Sequence, residues 1–390
     1  MKRYKIFTVI ILSVLFIKVA FSQRKNTFTT ETQGGYEYNY FKSPDVIRIE
    51  GVVLNSDDLI SSSFYQDIKM KYKYKTTWGK NKFRVSALPF SRIFYENMDD
   101  SYWSLSVIAN YDYKISKHIG LYTKAEFKRM NREGLGGDQD VLINPLGYTN
   151  YGGSLGIDLK PFRNHQMKVG GFYNFKNFDA FGIRDLQYDE YGVQLSSVQS
   201  FRVKRLKHKI GVNGYFKKRL YDTFNASDIE PDGERDWDYI KGILFYQLPF
   251  SKTFSLKPNF IYYVRIDNST NRSGFNQFGP GITMKYNTKK TDIRGSFSFI
   301  TRNYTDIQAR NTNELIGDRL TYEYSNVQVD VRQNIGNGFS LTATLFSRIR
   351  STNYTDIDAR SFRNYKNQYT GVDFTLNDGY FFVKRYFCSA

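Results

Sequence analysis

The sequence predicts an all-β protein, a transmembrane antiparallel up-and-down β-barrel of about 16 strands within a range of roughly 14 to 18. Three observations carry that expectation. Aromatic residues make up 17% of the chain although 24% is charged and mean hydropathy is −0.53. A soluble domain of this size would bury a core richer in Leu, Ala and Val, whereas a membrane barrel combines an apolar, aromatic-flanked exterior with a polar interior. The second observation is period-two alternation along most of the chain, and the third is a regular exchange of short and long polar connections.

The N-terminus sets the compartment. Lys2, Arg3 and Lys5 precede a mostly apolar run from Ile6 to Val19, broken only by Thr8, Ser13 and Lys18. Ala20-Phe21-Ser22 then places small residues at both positions that determine cleavage. The run is shorter than the roughly 20 residues of a spanning helix, so residues 1–22 are read as a signal peptide cleaved before Gln23. Residues 23–44, polar and rich in Thr and Tyr, are read as a periplasmic lead-in too short for a folded plug. The barrel is expected over residues 45–387, starting with a strand around Val46–Leu54.

Alternation is clearest from Phe64 to Trp78. Phe64, Ile68, Met70, Tyr72, Tyr74 and Trp78 fall on one face, and Tyr65, Asp67, Lys69, Lys71, Lys73 and Lys75 on the other. Leu105–Tyr113, Ile293–Phe299, Val327–Val331 and Leu341–Leu345 repeat the pattern. With their flanks these runs reach about 10 residues, the length of a tilted membrane strand. Short connections are expected at Gly79–Asn81, Ser116–His118, Lys160–His165, Phe250–Thr253, Asn287–Thr291, Asn334–Gly338 and Asn377–Gly379. Long ones are expected at Asn131–Gly147, Lys176–Glu190, Tyr221–Asp236, Asp306–Arg319 and Ser351–Asn367. The end of the chain has two readings. Either Asn377–Gly379 is a turn, or Gln368–Phe387 is one final strand ending in Tyr386-Phe387; the second is preferred because it returns the chain to the short-turn rim.

A formal charge of +18, only a small part of it from Lys2, Arg3, Lys5 and Lys18, would ordinarily raise nucleic-acid binding. Export excludes that partner and leaves anionic lipid and lipopolysaccharide head groups, or a cationic lumen. Lys69, Lys71, Lys73, Lys75, Arg84, Lys124, Lys128, Lys257, Arg265, Arg294, Arg302, Arg348 and Arg350 all occupy the polar phase and are the candidate pore-lining set. Asp67, Glu126, Asp158, Asp330 and Asp373 share that phase, so a filled, salt-bridged interior competes with an open passage. About 16 strands favours the passage.

No catalytic, metal or cofactor site is expected. The three histidines, His118, His165 and His208, all fall in or beside short connections, away from the outer part of the barrel where a catalytic His would stand. Asp228-Ile229-Glu230-Pro231-Asp232-Gly233 has the look of a calcium loop, but Tyr239 stands where a bidentate Glu is needed and Pro231 intrudes. Gly152, Gly153, Gly156, Gly279 and Gly281 lie within alternating segments and read as close strand packing or bends of the wall. The single cysteine, Cys388, forms no internal disulfide. One echo stands out: Asn303-Tyr304-Thr305-Asp306-Ile307 recurs as Asn353-Tyr354-Thr355-Asp356-Ile357, read as a duplicated hairpin or as a ligand site shared between neighbouring loops.

In its alternating segments and its short and long connections, the chain resembles bacterial outer-membrane porin-like β-barrels. The resemblance is one of pattern over nearly the whole mature chain and carries no residue-specific motif. It implies insertion by the outer-membrane assembly machinery and a water-filled passage for small solutes. The expected function is a porin-like channel with a cationic lumen. The alternatives are a non-conducting surface barrel whose long loops bind polysaccharide, a host surface or a protein, and an accessory subunit of a secretion or uptake complex. Solute, partner and oligomeric state are not legible.

Overall fold

A computed structural model describes residues 23–132, 147–179, 187–222, 235–269, 274–311, 314–358 and 363–378. The leader, the loop around Asp228–Gly233 and the Tyr386-Phe387 end lie outside the described residues. The strands are β1 (Gln23–Tyr38), β2 (Val46–Ile49), β3 (Val52–Asn55), β4 (Ser63–Trp78), β5 (Asn81–Phe94), β6 (Tyr102–Lys114), β7 (Ile119–Asn131), β8 (Tyr148–Leu159) and β9 (His165–Phe178). They continue with β10 (Gln187–Val203), β11 (Leu206–Tyr221), β12 (Arg235–Pro249), β13 (Phe254–Asp267), β14 (Phe275–Asn287), β15 (Thr291–Arg310), β16 (Leu315–Gly336), β17 (Phe339–Thr352) and β18 (Tyr365–Asp378). No helix among the described residues is long and apolar enough to cross a membrane.

β1 and β4 to β18 form one closed barrel of antiparallel neighbours, 16 strands in all, with β1 sealed against β18. An even number returns the chain to the rim from which it started. Gln23 stands opposite Thr77 beside the β4–β5 turn, and Asp378 stands opposite Phe28 on the same side. That rim carries the short connections and the other carries the longer ones, as the sequence predicts.

The differences from expectation have local causes. Residues 23–38 are not a lead-in but β1, paired on both edges with β4 and β18. Between outward Phe28 and Tyr36, its outward positions Thr30, Thr32 and Gly34 lack the aliphatic side chains that would reveal a membrane strand. The expected first strand at 46–54 is instead a separate hairpin of β2 and β3, broken where Glu50 and Gly51 both take positive φ, 51° and 84°. The expected loop Asp306–Arg319 is largely strand, since β15 and β16 run on to Arg310 and from Leu315 through two register shifts. The chain also turns tightly at Lys204-Arg205 with φ of 47° and 69°, a turn that carries none of the usual Gly or Asn. β18 ends at Asp378, so the preferred extension of the last strand to Phe387 falls outside the described residues.

The outer wall is apolar. Leu155, Val193, Leu244, Leu345 and Val372 are each more than half exposed, a placement that only a nonaqueous surrounding rewards. The buried clusters lie on the inner wall near the long-connection rim. One joins Phe178, Tyr188, Tyr221, Trp237 and Tyr239, and a second joins Phe275, Tyr304, Leu320, Tyr322, Tyr324 and Tyr354. A third holds Tyr40, Tyr65 and Phe94. Tyr65 reaches across the β1–β18 seam, where a Cβ on Gly35 or Gly371 would meet its hydroxyl at 2.9 or 2.5 Å. Bare backbone at the seam is what admits the ring.

Candidate functional site: the inner wall of the barrel

Pairing register fixes which side chains face inward. Outward Ile68, Met70 and Tyr72 are exposed on the apolar wall, so Asp67, Lys69, Lys71, Lys73 and Lys75 point into the barrel. Following the directly opposed pairs from strand to strand places all thirteen basic residues singled out in the sequence on this inward phase. The acidic residues Asp67, Glu126, Asp158, Asp330 and Asp373 share it.

The thirteen fall into different surroundings. Lys69 is engaged, 2.7 Å from Glu31 and 3.8 Å from Asp67. Arg84 pairs with Asp112 at 2.6 Å, and Lys124 pairs with Glu126. Lys71, Lys73 and Lys75 have no carboxylate within ion-pair distance among the described residues, and Lys75 faces Lys25 on one side and Arg84 on the other. Lys257 lies 4.1 Å from the Phe245 ring, near another basic row in which Lys285 stands directly opposite Arg294. Like charges set face to face across a sheet cost stability unless water or an anion screens them.

Toward the long-connection rim the basic residues are instead wedged between rings. Arg265 lies 4.5 Å from Trp237 and 4.6 Å from Phe275. Arg302 lies 4.3 Å from Phe275 and donates to the Gln277 side-chain oxygen at 2.9 Å. Arg350 sits between Tyr322 and Tyr365, at 4.6 and 4.4 Å, and gives two hydrogen bonds to the Arg363 carbonyl. Arg348 donates to Asn326 at 2.7 Å, and Lys128 stands 5.5 Å from Tyr148.

Sequence reasoning missed part of this wall. Arg92 bridges Asp67 and Glu37 at 2.7 and 2.6 Å, and Glu190 takes both Lys217 and Arg219, at 2.8 and 2.7 Å. Lys176 lies 3.6 Å from Tyr148 and 4.3 Å from Phe178. All sit on the same period-two phase as the residues that were found. Aromatic rings and glycines on both faces of β8 to β11 obscure that phase in the sequence.

Two described connections fold against this mouth. Tyr40 stacks on Phe94 at 4.3 Å and donates to Asp100 at 2.5 Å; burial and that carboxylate hold its hydroxyl above the ordinary phenol range. The β2–β3 hairpin meets the connection after β17, with the Arg48 amide donating to the Ile357 carbonyl at 2.6 Å and its guanidinium 3.3 Å from Asp358. The repeated pentapeptides also meet there. The Thr355 and Asp356 amides both donate to the Arg310 carbonyl, and Tyr304 and Tyr354 share one aromatic cluster. One copy is strand and the other is irregular.

The histidines stay near the short-turn rim: His118 in the β6–β7 turn, His165 beside Ser197 and His208 against Tyr246. No group of three metal-ligating side chains is present among the described residues.

No protein-family model matches the chain, and no curated protein matches it in sequence. Solved barrels are similar in shape. OccAB2 of Acinetobacter baumannii aligns over 90% of this chain and 98% of its own, at 10% identity and a TM-score of 0.46. The outer membrane protein OpdK of Pseudomonas aeruginosa aligns over 90% and 99%, at 11% identity and 0.42. A bacterial polysaccharide outer membrane secretin aligns over 89% and 98%, at 11% identity and 0.45. Such values say nothing of solute or partner, and the closed barrel stands on its own strand pairing.

Proposed function

We propose that the protein is a bacterial outer-membrane channel whose cation-rich lumen favours small anionic solutes. Its short connections would face the periplasm and its long ones the cell exterior, with lipid and lipopolysaccharide around the wall. The reading is carried by one observation: an exposed apolar exterior encloses inward lysines, Lys71, Lys73 and Lys75, that have no carboxylate partner among the described residues. Charges surrounded by a low-dielectric wall concentrate counter-ions, so such a lumen passes anions preferentially. No catalysed reaction is assigned.

Reversal potentials in a salt gradient across a planar bilayer test it. Lys69 is neutralised by Glu31 and Asp67, so the informative variant is Lys71→Gln/Lys73→Gln/Lys75→Gln. It leaves Met70, Tyr72 and Tyr74 untouched and should fold. The wild type should be anion-selective at low salt and the variant less so. The difference should fade near 1 M, where the Debye length is about 3 Å. One feature favours the alternative of a closed surface barrel: two connections and a belt of buried rings crowd the inner wall at the mouth. A folded protein that conducts no ions would establish that alternative.

A further inference from the structure

Midway along the lumen the inner wall has a recess that the channel reading does not use. Directly opposed residues form one row across six strands, Tyr122, Gly156, Gly170, Gln194, Tyr215 and Lys241. Two successive glycines leave the wall bare beside Tyr122, whose ring occupies that space. A Cβ on Gly156 would come within 2.5 Å of the Tyr122 Cζ, and one on Gly170 within 2.3 Å of its hydroxyl. The ring therefore reclines on the sheet and presents its other face to the lumen, with the Lys168 ammonium 5.6 Å from its centroid.

The next row toward the short-turn rim brings Asp158, Lys168, Ser196 and Asn213 side by side. Ser196 donates to the Asn213 side-chain oxygen at 2.7 Å, which leaves the amide N–H groups of Asn213 to serve the recess. The Gln194 side chain has no hydrogen-bond partner among the described residues, and Lys241 has no carboxylate partner among them. Lys168 is 3.7 Å from Asp158, whose carboxylate also accepts from Gln166 at 2.9 Å, so one of the two lysines is partly neutralised. The recess has a volume of about 340 Å³, room for a single sugar-sized molecule.

Its chemistry is specific: a ring face for an apolar surface, carboxamides that donate and accept for hydroxyls, and ammonium groups for an anion. No guanidinium is among the residues that line it. Without the arginine fork, which grips carboxylate and phosphate alike by two parallel bonds, the recess offers two ammonium point charges, Lys168 and Lys241, a pair suited to a group that carries more than one negative charge, such as a phosphate. We propose that Tyr122, Lys168, Gln194, Asn213, Tyr215 and Lys241 form a subsite for a phosphorylated monosaccharide. The proposal rests on the channel reading in that solute must reach the lumen.

Two measurements separate the claims. In planar bilayers, glucose 6-phosphate should interrupt the ion current of the wild type in a concentration-dependent way. Lys241→Gln and Tyr122→Ala should each raise the half-blocking concentration by about tenfold, the loss of one charge-assisted or stacking contact. Glucose and inorganic phosphate should each block at least about tenfold more weakly, since each offers half of the recognised groups. Because Tyr122 also fills the glycine trough, Gln194→Leu serves in its place if Tyr122→Ala does not assemble.

Calorimetric titration of the detergent-solubilised protein with glucose 6-phosphate gives a readout independent of conductance. Binding that depends on Lys241 in a protein that passes no current would uphold the subsite and defeat the channel. A conducting protein with no titratable binding would overturn the subsite. So would block by inorganic phosphate or glucuronate as strong as that by glucose 6-phosphate, or variants that match the wild type.

Discussion

Val329 stands at the centre of the apolar wall, and an arginine there should be far more costly than one a single residue away. On β17 the outward run from Leu341 to Ile349 marks the belt, with Leu345 at its middle directly opposite Val329. At about 3.3 Å per residue and a strand tilt near 40°, that run climbs roughly 20 Å, close to the height of a membrane barrel's apolar band. Val329 therefore lies about 10 Å from either edge, too deep for a guanidinium to reach water easily. Val329→Arg should cost about 2–4 kcal/mol, roughly a 30- to 900-fold loss in the folding equilibrium. Gln328 faces inward and donates to Asp330 at 3.0 Å, so Gln328→Arg places a cation beside a carboxylate and should change stability by less than about 0.5 kcal/mol. Urea titration of the protein in phosphocholine vesicles, followed by tryptophan fluorescence and heat-modifiable gel mobility, measures both. Equal destabilisation at the two positions would refute the assignment of faces, or the membrane itself.

Other perturbations follow from the same geometry. Arg92→Met leaves Asp67 and Glu37 confronting each other without their shared cation and should cost about 3–5 kcal/mol, with part recovered by adding Asp67→Leu; an unfolding midpoint unchanged by the single substitution would contradict the bridge. Glu96, in the β5–β6 connection, accepts from the Ser63 hydroxyl and from the Phe64 amide at 2.7 Å, and the hydroxyl holds its carboxyl below the ordinary range. That contact is fully present above the usual glutamate value of about 4.3 and is lost as pH falls through the lower folded value. Amide exchange at Phe64 should quicken there, and Glu96→Gln should flatten the dependence; protection unaltered through the acid range would dispose of it. Mass spectrometry of the exported protein should find Gln23 at its N-terminus, and a retained Met1 would remove the argument for export.

Face assignment was legible in the sequence wherever the outward positions are aliphatic or aromatic and the inward ones charged. Ile68, Met70 and Tyr72 against Lys69, Lys71 and Lys73 is the plainest case, and the closed barrel keeps that phase through every directly opposed pair. It failed where the side chains carry no contrast. Between outward Phe28 and Tyr36, β1 sets Thr30, Thr32 and Gly34 toward the outside, so the middle of the strand shows no apolar contrast. The Lys204-Arg205 turn has no glycine or asparagine to announce positive φ, and the cost is borne by hydrogen bonds of the two long strands it joins. Asp306–Arg319 is polar enough to read as loop because that hairpin runs on past the long-connection rim, where no lipid demands an apolar face. The recess beside Tyr122 was invisible for another reason. Gly156 stands out within its alternating segment, but its meaning depends on Gly170 and Tyr122, neighbours only after three strands pair.

The aromatic excess also divides in a way that composition could not show. Girdles facing lipid account for exposed rings such as Trp103, Tyr151 and Tyr262, but Tyr65, Tyr304, Tyr322 and Tyr365 are almost fully buried on the inner wall. There they solve an electrostatic problem. Folded connections at the mouth exclude water from basic side chains, and carboxylates are too few to pair with all of them. A ring face offers a guanidinium a partner without adding negative charge. Arginine, planar and weakly hydrated, suits that layer, as Arg219, Arg265, Arg302 and Arg350 show. Toward the short-turn rim ring contacts thin to such cases as Lys257 on Phe245, and lysine, strongly hydrated, stands at 71, 73, 75, 257 and 285 beside the inward arginines Arg84, paired with Asp112, Arg202, Arg294 and Arg332. The basic residues of the two ends thus have separate duties, with Lys128, Lys176 and Lys217 joining the arginines among the rings of the mouth. Substituting mouth arginines should loosen the wall before it alters selectivity, whereas substituting Lys71, Lys73 and Lys75 should alter selectivity while leaving the wall intact.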